Sequence, residues 1–388
     1  MPYDVAIIGG GAAGLMCAIE AGRRGRSVCV LEGSDRPGKK ILISGGGRCN
    51  FTNLYAGPDN YWSSNPPFCR SALSRYTPAH FIEMVDAHGI AYHEKKLGQL
   101  FCDGSSRAIL DMLLAECHEA GVSVRTYCEV WQVEHPGRFQ LDTSIGELAC
   151  GALVIATGGL SIPKMGAAGF GYALASQFGL GIVEPAPGLV PLTLDGDEQR
   201  LCESLSGLSV DAAVSCRDAS FHENVLFTHR GLSGPAVLQA SSRWCPGDAV
   251  SIDLLPGESA HDLLLGAQED PRELATILAS KLPQRFARAW CAAYASSLPM
   301  QRYSERQLAA IAERLHHWQL TPSGSEGYAK AEVTVGGVDT RDLDQRTMQA
   351  RNLPGLYFVG EVVDVTGWLG GYNFQWAWAS GWCAGQSV

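Results

Sequence analysis

The glycine-rich start of the chain constrains its fold more than any other segment. Residues 5–8 are a short apolar run typical of a buried parallel strand, and residues 15–24 have the pattern of a helix. Between them stand Gly9, Gly11 and Gly14, in the spacing G-x-G-x-x-G. We expect the first to form a tight turn, the second to let the backbone approach a pyrophosphate, and the third to let helix and strand pack closely. The pattern predicts a βαβ unit that binds an adenine dinucleotide.

An acidic residue at the expected place supports this interpretation. A second apolar strand, predicted over residues 27–31, ends in Glu32, eighteen residues after Gly14. A carboxylate at this position accepts hydrogen bonds from a ribose diol and repels a 2′-phosphate. A glycine triplet alone is weak evidence because the chain has 45 glycines. The order of strand, glycines, helix, strand and acid carries the prediction, and an accidental glycine-rich turn is the alternative.

Size and composition favour a globular protein with a large core. The 388 residues suggest two or three domains, and 46% of them are apolar against 18% charged. No uncharged apolar run reaches the length of a membrane span, and the N-terminus lacks the basic leader of a signal peptide. The 13 cysteines include no C-x-x-C pair and no zinc spacing. We therefore expect buried free thiols, no metal, no membrane contact and a cytoplasmic location.

The charge of the chain is unevenly distributed. The formal net charge is −10, which argues against indiscriminate binding of polyanions. Residues 274–320 nevertheless carry six basic residues against two acidic ones. They form either a solvated helix face or a docking patch for an anionic partner. The basic residues are Lys281, Arg285, Arg288, Arg302, Arg306 and Arg314.

A series of short predicted strands follows the first βαβ unit. They lie between residues 122 and 155 and form a β-meander that returns to an apolar strand ending in Thr157, Gly158 and Gly159. Flavoproteins with two dinucleotide domains place such a turn beside the pyrophosphate. The strand that contains Val130 is positioned to contact adenine through its backbone.

The order of these elements indicates an α/β, doubly wound domain that is discontinuous in sequence. We predict that residues 1–190 and 328–388 build this dinucleotide-binding domain together. Residues 191–327 form an insertion, in which 191–256 have strand and turn patterns and 257–327 have helical patterns.

The C-terminal segment favours FAD as the dinucleotide. A buried strand predicted over residues 355–360 ends in Gly360, and Glu361 and Asp364 follow it. In FAD enzymes of this architecture such an acid bonds the ribityl or pyrophosphate region. A helix then begins whose N-terminus would stabilise the negative charge of reduced flavin; the alternative is a tryptophan-rich core helix capped by glycines. The residues at that helix start are Gly371, Tyr372 and Asn373.

A second glycine-rich segment gives a second anchor for the flavin. Residues 40–44 have the pattern of an apolar strand, and three consecutive glycines then precede Arg48. Three glycines let the chain run against a flat ring. Arg48, Asn50 and Thr52 offer donors to flavin N5 or O4, or to a substrate carbonyl. A plain turn is the alternative.

Three longer blocks, residues 40–53, 226–235 and 360–376, resemble the BaiN/YhiN family of bacterial flavoproteins. The resemblance spans nearly the whole chain. It implies an FAD/NAD(P)-type domain with an inserted β-barrel-like and helical domain, and FAD as the cofactor. Activities proposed across the family are reduction of bile-acid intermediates, oxidation of small amines, and NAD(P)H-dependent reduction of a ribosomal RNA uridine to dihydrouridine. The resemblance therefore implies the cofactor more firmly than the substrate. It also makes ribosomal RNA a candidate for the anionic partner of the basic residues in 274–320.

Several residues are candidates for substrate chemistry. His229 and Arg230 would lie over the flavin and orient substrate, with Ser233 capping the helix that follows; a structural histidine is the alternative. Cys49 either donates the proton that accompanies hydride transfer to a uracil C5=C6 bond or packs beneath the flavin. Tyr372 is a further catalytic candidate.

No second G-x-G-x-x-G follows a strand, so NADH or NADPH would visit the flavin only transiently. We predict an FAD-dependent oxidoreductase that acts on a conjugated C=C or C=N bond of RNA or a small molecule. A protein that holds FAD as a redox sensor or scaffold is the alternative. The predicted cofactor contacts are Gly9, Gly11, Ala12, Ala13, Gly14, Glu32, Lys40, Gly46, Gly47, Arg48, Asn50, Thr52, Val130, Thr157, Gly158, Gly159, Gly360, Glu361, Asp364, Gly371, Tyr372 and Asn373.

Overall fold

The computed structural model describes residues 3–166 and 169–388. Within them the chain divides into two compact units. The first unit combines the chain up to Ala186 with Val333–Val388, and the second is Pro187–Glu332. The first unit is thus built from both ends of the chain. The domain assignment with boundaries near residues 190 and 328 remains a prediction.

Helices and strands alternate along the described residues of both units. The strands are β1 Tyr3–Ile8, β2 Val28–Leu31, β3 Asn50–Asn53, β4 Tyr61–Trp62, β5 Tyr92–Glu94, β6 Gln99–Cys102, β7 Ser123–Arg125, β8 Val130–Glu134, β9 Phe139–Thr143, β10 Leu148–Ile155, β11 Ile182–Gly188, β12 Leu192–Thr193, β13 Ser209–Cys216, β14 Ala219–Thr228, β15 Gly231–Ser233, β16 Val250–Asp253, β17 Trp318–Leu320, β18 Gly324–Ser325, β19 Val333–Val338, β20 Leu356–Phe358 and β21 Thr366–Gly367. The α-helices are α1 Ala12–Arg23, α2 Lys39–Ile43, α3 Cys69–Arg75, α4 Pro78–Ala87, α5 Arg107–Glu119, α6 Phe170–Gln177, α7 Gly196–Ser204, α8 Pro235–Ser241, α9 Ala260–Gly266, α10 Leu274–Leu278, α11 Gln284–Tyr294, α12 Glu305–His316 and α13 Tyr372–Gly385.

A seven-stranded sheet organises the first unit. Its order is β7-β2-β1-β10-β9-β8, and β20 pairs with the second half of β10. β1 lies between β2 and β10 and is parallel to both, and β20 is parallel to β10. The carboxyl ends of these four strands therefore meet at one edge of the sheet, where doubly wound folds bind their ligands.

The helices from the two ends of the chain pack closely because glycines at their contact leave room for the neighbouring backbone. A Cβ at Gly381 of α13 would lie 2.4 Å from Ala13 O, and a Cβ at Gly360, which has φ 73°, would lie 2.8 Å from Ala13 Cβ. Trp376 and Trp378 of α13 are buried, and the Trp376 indole N–H donates to Gly360 O at 3.0 Å. These two tryptophans are core residues, as the sequence suggests.

The second unit contains an antiparallel sheet and the helices α7 to α12. The order of its seven strands is β17-β16-β13-β14-β15-β12-β18. The long hairpin β13–β14 is in continuous register from Ser209 opposite Leu226 to Cys216 opposite Ala219. Helices α9 to α12 follow β16, and the chain then returns to the sheet through β17 and β18.

Two local predictions differ from the structure. The strand predicted over residues 40–44 is wrong, since most of these residues form the short helix α2. A brief apolar run does not distinguish a strand from a buried helix. Residues 257–327, for which helical patterns were predicted, also contain the strands β17 and β18, which pair with β16 and β12. The prediction for the cysteines is confirmed: all are free, and every one except Cys245 is buried.

Candidate functional site

Of the three glycines of the G-x-G-x-x-G motif between β1 and α1, one faces open space and two are in close contact with the protein. Gly9 has φ 110°, and a Cβ there would lie 2.3 Å from Ala156 O; a Cβ at Gly14 would lie 2.0 Å from Gly9 O. A Cβ at Gly11, by contrast, would have nothing within 4 Å. Gly11 is the N-cap of α1, so the open space lies at a helix N-terminus, where phosphate binds favourably. The helix begins with Ala12, which is half-buried, and Ala13, which is buried.

Glu32 lies beside this turn, directly after β2. Its Oε2 accepts the Gly10 N–H at 2.9 Å, and its Oε1 accepts the N–H and hydroxyl of Ser34 at 2.9 and 2.6 Å. These bonds fix the carboxylate and leave acceptor capacity on Oε2. Glu32 O also accepts the Cys128 N–H at 3.0 Å, which brings the start of the strand containing Val130 to the same place. The residues predicted to contact ribose and adenine are therefore neighbours.

The turn after β10 lies at the same edge of the sheet. Gly158 has φ 74°, and a Cβ there would meet nothing within 4 Å. A Cβ at Gly159 would lie 2.4 Å from Thr334 Oγ1 and 2.7 Å from Glu361 Oε1. The Thr157 hydroxyl is buried and has no hydrogen-bond partner among the described residues. Gly158 is thus open to a ligand, whereas Gly159 is closed by the protein.

Lys40 and Glu361, which are 321 positions apart in sequence, form an ion pair at the end of β20. Lys40 Nζ donates to Glu361 Oε2 at 2.5 Å and to Ser161 Oγ at 2.8 Å. Glu361 Oε1 accepts the Ser161 hydroxyl at 3.0 Å and the Thr334 N–H at 2.9 Å. Sequence reasoning missed Ser161 and Thr334, because nothing in their local sequence distinguishes them from other hydroxyl residues.

The second glycine segment forms a left-handed turn. Gly45, Gly46 and Gly47 have φ values of 57°, 68° and 85°, which favour glycine. Gly46 and Gly47 face open space. Arg48 follows with an exposed side chain that has no ion-pair or hydrogen-bond partner among the described residues. The turn therefore offers an accessible guanidinium next to two unobstructed glycines. The helix α2, which precedes this turn, begins beside the first glycine turn, since the N–H of its N-cap Gly38 donates to Gly10 O at 2.8 Å.

Cys49 is packed rather than accessible. Its side chain is 0% exposed, and its φ is 50°. Burial raises the pKa of the Cys49 thiol to about 12. A thiol enclosed in this way does not reach a substrate, so the packing alternative fits the structure better than proton donation.

Asn50 and Thr52 use their side chains to hold the protein together. With its amide oriented to satisfy both ends, Asn50 donates to Leu100 O and Thr52 O at 3.1 Å and accepts the Gly371 N–H at 3.2 Å. The buried Thr52 hydroxyl donates to Gln375 Oε1 at 2.7 Å. A Cβ at Gly371 would lie 2.4 Å from Thr52 O. The close approach at Gly371 is thus made by β3, whereas the sequence suggested a ligand.

The other residues predicted near the start of α13 also have protein partners. Tyr372 is buried, and its carbonyl accepts the Tyr61 hydroxyl at 2.9 Å. The Asn373 side chain makes hydrogen bonds to the backbone of the preceding loop at 2.8 and 2.9 Å. The buried Asp364 accepts the N–H and hydroxyl of Ser64 at 2.8 and 2.6 Å. These side chains shape the loop before α13 and are not aimed at open space.

His229 and Arg230 belong to the second unit, where both are exposed after β14. Arg230 Nη1 lies 3.6 Å from Glu326 Oε2. The prediction that Ser233 caps α8 is wrong: Ser233 is still paired within β15, and the N-cap is Gly234 with φ 90°.

The basic residues of 274–320 fall into two groups. Lys281 pairs with Glu258 at 2.7 Å, and Arg285 and Arg314 donate to backbone carbonyls. Half of the set is thus engaged within the protein, and both interpretations of it remain open. Those with exposed side chains and no partner among the described residues are Arg288, Arg302 and Arg306.

The arrangement at the sheet edge fits an extended dinucleotide. Gly11 provides an open helix N-terminus, Glu32 a fixed carboxylate, and Gly158 an unobstructed turn. Among residues 3–166 and 169–388, no group of three or more His, Cys, Asp or Glu residues is arranged to hold a metal ion. None of the helices in those residues is long and apolar enough to cross a membrane.

Comparison with known proteins identifies the family. The HI0933-like protein Rossmann domain matches residues 3–387. The chain belongs to this family. It is a flavoprotein oxidoreductase family with the Rossmann-type FAD-binding fold, so the predicted family, fold class and enzyme class are confirmed.

Three relatives align over almost the full length of the chain. The chain is 49% identical over 392 residues to the ribosomal RNA dihydrouridine synthase of Escherichia coli, covering 100% of this chain and 98% of the relative. It is 45% identical to the protein of the same name from Haemophilus influenzae, covering 98% and 97%. It is 28% identical to the 3-dehydro-bile acid delta(4,6)-reductase of Clostridium scindens, covering 99% and 98%.

A solved structure shares the fold. The 3-ketosteroid-delta4-(5alpha)-dehydrogenase of Rhodococcus jostii RHA1 aligns with a TM-score of 0.50 at 14% identity, covering 99% of this chain and 97% of that one. At this identity the likeness concerns the fold alone.

Proposed function

We propose that this protein is a ribosomal RNA dihydrouridine synthase that uses FAD, with NADH or NADPH as the electron donor. The observation that carries the proposal is the identity of 49% and 45%, over nearly the whole length, to two proteins of that name. In the reaction, hydride and a proton add across the C5=C6 bond of a uridine, and NAD(P)H is oxidised to NAD(P)⁺.

The residues at the sheet edge support a role in binding FAD. The α1 N-terminus at Gly11 would bind the pyrophosphate, and Glu32 would accept a ribose hydroxyl on Oε2. The Lys40–Glu361 pair would fix the end of β20 beside the cofactor. When bound, FAD supplies the hydride transfer that no amino-acid side chain can perform.

Arg48 is the side chain best suited to meet the substrate. Its guanidinium is exposed, has no partner among the described residues, and follows the open Gly46–Gly47 turn. A guanidinium binds carbonyl and phosphate oxygens, both of which a uridine nucleotide carries. The burial of Cys49 argues against direct contact between its thiol and the substrate.

The proposal is tested by incubating the purified, FAD-loaded protein with ribosomal RNA that lacks dihydrouridine, in the presence of NADH or NADPH. Mass spectrometry of the digested RNA is expected to show a mass gain of two hydrogens at a uridine. The matched control omits the nicotinamide donor. Flavin that stays oxidised with both donors, or RNA that gains no dihydrouridine, would contradict the proposal.

The second candidate is a reductase of a small conjugated ketone. The 28% identity to the bile acid reductase, over 411 residues, favours it. Both activities reduce a C=C bond conjugated to a carbonyl, so the same binding residues would serve either substrate. Turnover of a steroid enone and none of RNA would favour this candidate. Rapid reoxidation by oxygen with a small amine as donor would instead indicate an oxidase, and no turnover with any pair would favour a sensor or scaffold.

A further inference from the structure

An exposed apolar and basic surface lies on the first unit at the tip of the β5–β6 hairpin. Tyr55 is 67% exposed and Leu97 is 57% exposed, and Leu54 beside them is also exposed. Lys95 and Lys96, in the same hairpin loop, are exposed as well. We call these five residues the Tyr55 patch.

The backbone holds the Tyr55 patch in place. Leu54 N–H donates to Gly98 O at 2.9 Å, which joins the end of β3 to the hairpin loop. Asn53, which is buried, accepts the Tyr55 N–H on Oδ1 at 2.9 Å and donates from Nδ2 to Leu97 O at 3.0 Å. A Cβ at Gly98 would lie 2.7 Å from the Tyr55 ring. The ring therefore rests against the Gly98 backbone, with its other face toward solvent.

Leu97 adds a second unusual feature to the patch. It has φ 50°, a left-handed conformation that is unfavourable for a branched side chain, and its apolar side chain points into water. Backbone strain combined with apolar exposure is a combination found at ligand-binding loops.

The patch brings two lysines to the hairpin tip of a chain whose net charge is −10. Lys95 Nζ lies 5.3 Å from the centroid of the Phe101 ring. The nearby acidic groups have partners: Glu94 accepts the Gly98 N–H at 2.9 Å, and Asp103 pairs with His93 at 2.6 Å. The two lysines offset the charge of these two carboxylates, so the hairpin tip repels a polyanion less than a surface with the chain's average negative charge would.

The Tyr55 patch is connected to two parts of the candidate site, the loop before α13 and the turn at Gly45–Gly47. Asn53 Nδ2 also donates to Gly370 O at 2.9 Å, just before the start of α13. On the other side, a Cβ at Gly45 would lie 2.8 Å from the Phe101 ring. Phe101 thus joins the hairpin to the turn that carries Arg48.

We propose that the Tyr55 patch binds a single-stranded loop of RNA, with Tyr55 stacked on a base next to the target uridine. This inference rests on the proposed function. Reaching C5=C6 of a uridine in folded RNA requires the base to leave its stack, and an aromatic side chain on a neighbouring base compensates for the lost stacking. Exposed aromatic rings interleaved with lysines are the pattern of single-strand binding. A small-molecule site would be concave, whereas this ring lies exposed on the surface beside a hairpin tip.

The test compares Tyr55→Ala and Tyr55→Phe with wild-type protein. Ile145→Ala, which removes another exposed apolar side chain 50% accessible to solvent, is the matched control. The dissociation constant for a fluorescent uridine-containing single-stranded RNA is measured by anisotropy, alongside the KM for ribosomal RNA. Tyr55→Ala is expected to weaken binding and raise KM about 5- to 150-fold, the range of one lost base stack. Tyr55→Phe and Ile145→Ala are expected to behave as wild type, and FAD content is expected to be the same in all four proteins.

The outcomes separate the two proposals. A wild-type protein that forms dihydrouridine, together with a Tyr55→Ala variant of unchanged RNA affinity and KM, overturns the role of the patch. A wild-type protein that forms no dihydrouridine in any RNA overturns the proposed function. If that protein nevertheless loses RNA affinity on Tyr55→Ala, the patch is retained as an RNA-binding surface.

Discussion

Replacing Gly11 with alanine should separate cofactor binding from folding. A Cβ at this position meets nothing within 4 Å, and φ is −80°, which alanine adopts without strain. Alanine lowers the conformational entropy of the unfolded chain, which stabilises the fold by about 0.4–1 kcal/mol, and this opposes a similar loss of stability at the N-cap position. We therefore expect the free energy of unfolding of the FAD-free protein to change by less than about 1 kcal/mol.

The same methyl group occupies the space that a pyrophosphate would need at the α1 N-terminus. Losing one hydrogen bond to a charged phosphate costs about 1.5–3 kcal/mol, so FAD should bind roughly 10- to 150-fold more weakly. The assay is titration of the FAD-free protein with FAD, followed by quenching of flavin fluorescence, alongside thermal unfolding. Gly266→Ala, another open position that lies in the second unit, is the control. Wild-type FAD affinity in Gly11→Ala would refute the placement of the pyrophosphate.

Three further predictions follow from other contacts. Cys49→Ala should keep kcat within about threefold and leave its pH profile unchanged, because the thiol is enclosed; a kcat at least a hundredfold lower would restore its role as proton donor. Gly381→Ala should lower the free energy of unfolding by about 1–3 kcal/mol in denaturant titrations, since its Cβ would lie 2.4 Å from Ala13 O; an unchanged midpoint would contradict this packing. The hydrogen bond from Arg341 lowers the pKa of Asp339, so this carboxylate stabilises the fold above its unfolded-state pKa and the gain is lost as pH falls through the folded pKa. Asp339→Asn should therefore be less stable than wild type near neutral pH and similar to it in acid, and an equal difference at both would count against the pair.

The sequence predicted those parts of the site whose geometry is set locally. The turn at Gly9, Gly11 and Gly14 is formed by adjacent residues, so spacing alone predicts it. The parallel pairing of β1 with β2 follows from the same βαβ unit. The core positions of Trp376 and Trp378 were likewise readable from the pattern of the last helix.

Long-range contacts could not be predicted in the same way. A glycine required by close approach does not say what approaches: at Gly371 it is the Thr52 carbonyl, whereas at Gly11 the space is open. Nor does the sequence pair Lys40 with Glu361, which meet only after the ends of the chain fold together. The apolar run that ends in α2 shows the limit of periodicity over five residues.

The most direct test of the account is to measure the flavin bound to the purified protein. The two ends of the chain are inferred to bind FAD at the edge of one sheet. We expect extraction to release FAD in a ratio of about one per chain, and we expect NADH or NADPH to bleach its visible absorption under anaerobic conditions. Protein that is colourless as isolated and takes up no FAD on reconstitution would contradict the account.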